Sequence, residues 1–278
     1  MRILLVFDVH NLCYRAWHAL PALSSGSRFT EVVFGFLRSV ELLSNEYATR
    51  DFAFCFDHTV SIRKEIFPDY KSRRRDKLTP EECKARARLA EQINRLRQDY
   101  LPQAGCLNVY QQHGVESDDL MAAIARRFSL IPNTEIVLVS SDNDLFQCLS
   151  ENVMIHLPGK RGSEARVTHK SFLKKYGLQP HQWAHVKAIA GCKTDSVPGV
   201  PGVGEVTALK YIRGELVTTS TAYHKIRSPQ AQAVIRRNRQ LVELPLPECR
   251  EREVFFDLWD GGKWKEMQRN LGMRSRIL

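Results

Sequence analysis

The 278-residue sequence predicts an α/β fold with a mainly parallel central sheet flanked by helices. Three observations predict it. Short apolar runs recur along the chain and close on acids, as in 3–8 (ILLVFD) and 52–57 (FAFCFD). Segments of helical period alternate with these runs. The runs are continuously apolar rather than alternating, which is the mark of strands buried on both faces.

Residues 3–8 read as a first strand with Asp8 at its carboxyl end. Val33, Phe36, Leu37, Val40, Leu43 and Tyr47 repeat at helical spacing, so 30–47 is expected to be a helix. A second strand, 52–57, ends at Asp57, and a helix is expected over 117–129. A third strand, 136–140, runs straight into Asp142 and Asp144, and 153–157 is a fourth. Helices follow at 168–176 and 180–190.

Between Pro68 and Gly105 the character changes. Residues 70–77 read YKSRRRDK, and Thr79-Pro80-Glu81-Glu82 then has the form of a helix start: Thr79 as N-cap, Pro80 first, Glu82 closing a capping box. Ala85, Leu89, Ile93, Leu96 and Tyr100 give this helix one apolar stripe, and Lys84, Arg86, Arg88, Arg95 and Arg97 decorate the rest. Such a helix is either a basic cover over a site or an ordinary solvated surface helix. Residues 197–204 (VPGVPGVG) form a glycine-rich hairpin leading into a helix over 205–213, and 228–241 is a further basic helix. The expected division is an α/β part over 1–165, with the basic helical insertion at about 68–105, and a helical module over 166–278.

Lys and Arg total 41 against 31 Asp and Glu, a formal charge of +10 with a pI near 9.4. That balance favours a polyanionic partner, nucleic acid above all. The seven cysteines include no C-x-x-C pair, so a disulfide framework and a zinc ribbon are both disfavoured. Reduced thiols point to a cytoplasmic compartment. The opening residues lack a signal-peptide pattern, and no apolar run reaches the length of a membrane span.

The acids Asp8, Asp57, Glu116, Asp118, Asp119, Asp142, Asp144 and Asp195 stand at strand ends or helix starts. Taken singly, each has an ordinary structural reading as a turn or first-turn residue. Jointly they would lie beyond the carboxyl ends of the strands, where α/β sheets place their sites. Carboxylates crowded there repel and need a compensating cation. Hard oxygen donors suit Mg2+ or Mn2+, and two such ions about 3.5–4 Å apart can activate water and stabilise a departing phosphodiester oxygen.

Five ordered blocks of residues stand out. They are Phe7-Asp8 with Asn11-Leu12-Cys13-Tyr14-Arg15-Ala16-Trp17-His18-Ala19-Leu20-Pro21; Phe56-Asp57 with Arg63 and Pro68-Asp69-Tyr70-Lys71-Ser72-Arg73-Arg74; Val115-Glu116-Ser117-Asp118-Asp119; Ser140-Ser141-Asp142-Asn143-Asp144; and 195–204. Together they resemble the 5′–3′ exonuclease and flap endonuclease family, found as the N-terminal nuclease of bacterial DNA polymerase I and as free-standing phage or bacterial enzymes, and the likeness covers nearly the whole chain.

It implies a PIN-like sheet with a helical arch and a helix-three-turn-helix DNA-binding motif at about 186–213. Asp8, Asp57, Glu116 and Asp118 would serve one metal ion, with Asp119 beside it, and Asp142, Asp144 and Asp195 a second. Lys71 and Arg74 would meet the scissile phosphate. Tyr70, Arg73, Lys84, Arg88, Gly199, Gly202, Gly204 and Lys210 would contact DNA, with a K+ at the hairpin. The implied activity is two-metal hydrolysis of DNA at 5′ ends, nicks and flaps, in replication or repair, by a monomer linked functionally to a separate DNA polymerase.

One departure bears on the chemistry. The family pattern Gly-Asp-x-x-Asp reads here Gly191-Cys192-Lys193-Thr194-Asp195. A thiol is a soft donor and a poor partner for Mg2+, so the second metal site is expected to be one hard ligand short. Ser196 also replaces an Asn, and Val9 a Gly. Two other readings stand beside the leading one: a DNA-junction binder with a decayed second site, and a PIN-type ribonuclease.

Overall fold

The computed structural model describes residues 1–25, 28–72 and 79–273. The sheet has six strands: β1 Arg2–Asp8, β2 Asp51–Cys55, β3 Val109–Tyr110, β4 Thr134–Val139, β5 Val153–His156 and β6 Arg166–Val167, in the order β3-β2-β1-β4-β5-β6. Every pairing is parallel except β5 with β6. From β1 the chain winds outward to β2 and β3, then returns to lay β4 against the other side of β1. That reversal opens a crevice beyond the carboxyl ends of β1 and β4. The register sets their ends level, Phe7 opposite Val139 and Asp8 opposite Cys55.

Alternate side chains of β1 feed two cores, as strand geometry requires. Leu5 and Phe7 face one cluster with helices α1 (Val9–Ala19), α2 (Glu31–Glu46) and α3 (Pro80–Arg95). Phe7 stacks on Phe54 with ring centroids 5.3 Å apart. Leu4 and Val6 face the other, which holds α4 (Ser117–Phe128) and helices of the C-terminal part. These are α5 (His169–Tyr176), α6 (Trp183–Ala190), α7 (Glu205–Ile212), α8 (Thr221–Arg227) and α9 (Pro229–Val242). Trp183, Val186 and Ile189 share this cluster with Leu4 and Val6 of β1. Beyond α9 the chain returns to the opposite face, where Trp264 and Met267 of α10 (Gly261–Asn270) join the first cluster. Each such fully buried side chain contributes roughly 1.5–3 kcal/mol.

The expected capping box of α3 is present: Glu82 N–H donates to Thr79 Oγ1 at 3.2 Å and Thr79 N–H to Glu82 Oε2 at 2.7 Å. Leu89 and Ile93 are buried while the first turns are exposed. The helix continues as a π turn over Leu96–Tyr100 and a last turn at Leu101–Gln103. Helix α1 was not anticipated from periodicity. It begins at once after β1 because Asp8 is also its N-cap, accepting from Asn11 N–H at 3.0 Å.

Candidate active site

Asp8 ends β1 and is 7% exposed. Its Oδ2 accepts from Ser140 Oγ at 2.9 Å, which ties it to the end of β4. The first residue of α4 ties it to Asp57: Ser117 Oγ donates to Asp8 Oδ1 at 3.2 Å, and Ser117 N–H to Asp57 Oδ1 at 2.8 Å. The N–H of Asp57 in turn donates to His10 Nδ1 at 3.1 Å. Burial, then the neighbouring Asp57, pushes the Asp8 carboxyl up to about 7. Burial also acts on Asp57, but His10 and Lys71 outweigh it and hold its carboxyl below the usual range.

Glu116 is the N-cap of α4 and meets three donors: Tyr70 Oη at 2.8 Å, Lys71 Nζ at 2.9 Å and Arg63 at 3.3 Å. Burial would raise its carboxyl, yet Lys71 and Arg63 hold it low. Asp118, the second residue of α4, is pushed well up by burial and then by Asp119. Asp119 is tied to Glu116 by the capping box of α4, its Oδ2 accepting from Glu116 N–H at 3.3 Å. It is fully buried, its two oxygens take the Arg63 guanidinium at 2.6 and 2.8 Å, and Oδ1 also accepts from Leu246 N–H at 2.8 Å. Its oxygens thus hold Arg63 together with the main chain at Glu116 and Leu246.

A second group gathers across the crevice. Asp142 Oδ1 accepts from Asp144 N–H at 2.9 Å. Asp144, Cys192 and Asp195 bring their ligating atoms within 4.8 Å of one another, the convergence of this kind found among the described residues. Cys192 Sγ lies 3.0 Å from Thr194 Oγ1 and 3.4 Å from Asp195 Oδ2. Burial and then Asp142 raise the Asp144 carboxyl to about 6, despite Lys187 Nζ 3.1 Å from its Oδ1. Burial, then Asp195, raises the Cys192 thiol. Sequence reading named the second group as the deficient one, yet here its ligating atoms converge tightly.

Lys71 stands between the groups. Its Nζ is 2.9 Å from Glu116 and 3.9 Å from Asp195, and its N–H donates to Asp195 O at 2.8 Å. These contacts hold it at φ +56, a backbone region a non-glycine residue enters at a cost. Burial works against the ammonium, but Glu116, Asp195, Asp118 and Asp57 together keep it charged far above neutral pH.

Several expected DNA contacts are placed differently. Tyr70 is 3% exposed and its hydroxyl serves Glu116, so it does not offer a surface to DNA. Arg88 lies over the Phe29 ring at 4.4 Å, while Lys84 is exposed. Gly199 is needed for packing: a Cβ there would sit 2.2 Å from Ala190 O. Gly202 turns at φ +76, and Gly204, the N-cap of α7, has open space around it, with Lys210 exposed on the same helix. Arg73 and Arg74 lie outside the described residues.

Sequence reasoning missed Arg63 and Lys187 as parts of the site. Lys187 had a signal, a lone lysine inside the apolar run Trp183–Ala190. Asn238 of α9 was also missed; its Nδ2 donates to Ala188 O at 2.9 Å and Pro198 O at 2.8 Å, which seats the hairpin on α9.

Residues 3–177 match the family model described as "5'-3' exonuclease, N-terminal resolvase-like domain". DNA polymerase I of Mycobacterium tuberculosis is 32% identical over 254 residues, covering 87% of this chain but 27% of the polymerase. The chain thus spans about a quarter of such relatives. A 5'-3' exonuclease of Aquifex aeolicus is 31% identical over 215 residues, covering 77% of this chain and 70% of its own. The phage T5 D15 protein co-crystallised with metal ions superposes with a TM-score of 0.73 at 22% identity, over 88% of this chain and 90% of that one. Strand ends, carboxylates and sequence relationships agree: the chain belongs to the 5′–3′ exonuclease family.

Proposed function

We propose that the chain hydrolyses DNA phosphodiesters at 5′ ends, nicks and flaps with the help of divalent cations. The observation that supports this best is Lys71, an ammonium held between two buried carboxylate groups at the sheet's switch point. The donor chemistry fits cations. Asp8 and Asp144 are buried acids pushed up to about 7 and about 6 by their surroundings, which is the state of carboxylates short of positive charge. Asp8, Asp57, Glu116 and Asp118 would hold one Mg2+ or Mn2+, and Asp142, Asp144 and Asp195 a second dication, at a place where Cys192 stands instead of a hard oxygen donor. Bound there, the ions would supply activation of water and charge stabilisation at the phosphate.

The chain's own residues do the rest. Ser117, Ser140 and Asn11 aim Asp8 and Asp57. Arg63 fixes Asp119 and, through it, the start of α4. Lys71 would move from carboxylate to phosphate when substrate arrives, with Arg74 three residues on. A cation there stabilises charge that grows in the transition state. Gly202, Gly204 and Lys210 would face the duplex backbone, with a K+ held by hairpin carbonyls, and Lys84 on the arch would track a single strand. The same proposal takes the chain as a cytoplasmic monomer that works beside a separate DNA polymerase, with a nuclease part over 1–165 and a helical module over 166–278. Among the described residues, no helix is long and apolar enough to cross a membrane.

The test is a panel of 5′-labelled flap, nicked and single-stranded DNA, with a matched RNA flap, in Mg2+ and in Mn2+. Cation-dependent cutting of the flap near its junction is expected. Salt-sensitive binding without cutting in either metal would instead favour the junction-binder reading, to which Cys192 lends support. Preference for the RNA flap would overturn the substrate assignment.

A further inference from the structure

The second carboxylate group is not a set of hard oxygen donors. Cys192 supplies a sulfur at the corner of a triangle whose other corners are Asp144 and Asp195, all three buried and within 4.8 Å of one another. Asp144 Oδ1 is buried with no aligned hydrogen bond, although Lys187 Nζ stands 3.1 Å away. Cys192 is placed there by the short antiparallel pair Gly191–Cys192 and Val197–Pro198, which sets Cys192 opposite Val197. The sulfur therefore sits on ordered backbone, at a fixed distance from its neighbours.

We propose that Asp144, Cys192 and Asp195 form a mixed thiolate–carboxylate site for a borderline or thiophilic dication of the Zn2+ or Co2+ class, and not for Mg2+. This rests on the reading of the cluster as a metal site. Two arguments favour it. Thiolate donors select such ions and are poor partners for Mg2+, which demands oxygen ligands. Geometry also favours it, since the sulfur and the two carboxylates bring their ligating atoms within 4.8 Å of one another. When the sulfur–metal bond forms, the thiol proton passes to solvent. No electron moves, so the step is not redox.

Sequence position gives the site a further consequence. The residues proposed for a hard ion, Asp8, Asp57, Glu116 and Asp118, all offer carboxylate oxygens. The chain would then take two different ions, one hard and one softer, in neighbouring places.

The test uses the full chain, freed of metal, and cobalt ion alone as the probe. Co2+ is expected to give an intense near-ultraviolet thiolate-to-cobalt absorption. It should be absent from Cys192→Ser and from Cys192→Asp, each checked for fold by circular dichroism. Zn2+ should abolish the band at stoichiometric concentration, while Mg2+ in large excess should leave it. Cys192→Ser should weaken Zn2+ binding by at least the roughly 10–100-fold that loss of an outer-sphere partner costs.

Cobalt binding without the band overturns the proposal. So does a band that survives in Cys192→Ser, which would trace it to another thiol such as the exposed Cys83. Displacement by Mg2+ as readily as by Zn2+ overturns it as well. Mn2+ binding followed by electron paramagnetic resonance separates the two levels. Manganese binding and flap cutting without the cobalt band sink the thiolate alone, whereas no binding of any dication sinks the functional reading with it.

Discussion

The main-chain N–H of Lys71 donates to the carbonyl of Asp195 at 2.8 Å, and its ammonium lies 3.9 Å from the same aspartate's carboxylate. The residue that opens the basic insertion is thus pinned to the residue that opens the hairpin. These segments are far apart in sequence, and their joining fixes Lys71 in its left-handed backbone. Replacing the side chain while keeping the backbone tie separates charge from structure. Lys71→Ala is expected to lower flap cleavage by about 10²–10³-fold with DNA affinity within a few-fold of the parent, as measured by single-turnover kinetics and fluorescence anisotropy. Equal losses in both would mean that Lys71 merely binds.

The raised carboxyls give the fold a pH dependence that cations should remove. Asp8 rises to about 7 and Asp144 to about 6 in the folded chain, both through burial first. A carboxyl raised above its unfolded value binds its proton more tightly when folded. Its contribution is therefore complete below about pH 4, the unfolded range, and is lost as pH climbs through 6 and 7. Without metal, the melting temperature should fall between pH 5 and pH 8 from this source. Adding Mn2+ should raise it more at pH 8 than at pH 5. A metal-induced shift that is flat with pH, followed by differential scanning fluorimetry, would count against these carboxyls as ligands.

Arg63 is 1% exposed and meets Asp119, Glu116 and the carbonyl of Leu241. Removing its charge leaves a buried Asp119 uncompensated. Arg63→Gln is expected to cost about 3–5 kcal/mol of unfolding free energy, read from the urea midpoint at constant slope. A cost below about 1 kcal/mol would show that water reaches the pair.

The hairpin glycines should divide into two classes. At Gly199 an added Cβ meets the Ala190 carbonyl at 2.2 Å, so Gly199→Ala should destabilise the fold whether or not DNA is present. At Gly204 nothing lies within 4 Å, and the backbone is in an ordinary extended conformation. Gly204→Ala should melt like the parent but bind duplex more weakly, if the methyl intrudes where a phosphate would approach. Unchanged binding isotherms for Gly204→Ala would remove that residue from the DNA surface.

The strands that end in acids were legible because burial on both faces writes a continuous apolar run, and the acid that follows has no packing reason to be there. The start of α3 was legible to the residue, because its capping box is a local motif. Strands β3 and β6 are two residues long and leave no period to read. Helix α1 was hidden because Asp8 serves strand and cap at once. Arg63 stood in the sequence only as part of a block resembling the family, with no role; its burial depends on Asp119 and on the end of α9, partners that only the folded chain brings near. Tyr70 beside a basic run read as a DNA contact, but its hydroxyl is the donor that orients Glu116.

Arg63 and Asn238 together make α9 a strut. Arg63 fastens the Leu241 carbonyl at its far end to Asp119, and Asn238, one turn earlier, fastens the carbonyls of Ala188 in α6 and Pro198 in the hairpin. The spacing between hairpin and carboxylates is then set by one rigid helix and not by a linker. A duplex gripped at the hairpin would present the same bond to the carboxylates at every encounter, so the molecule would work as a gauge that counts nucleotides from the junction. Loosening the strut at Asn238 should scatter the cut positions before it slows the cutting.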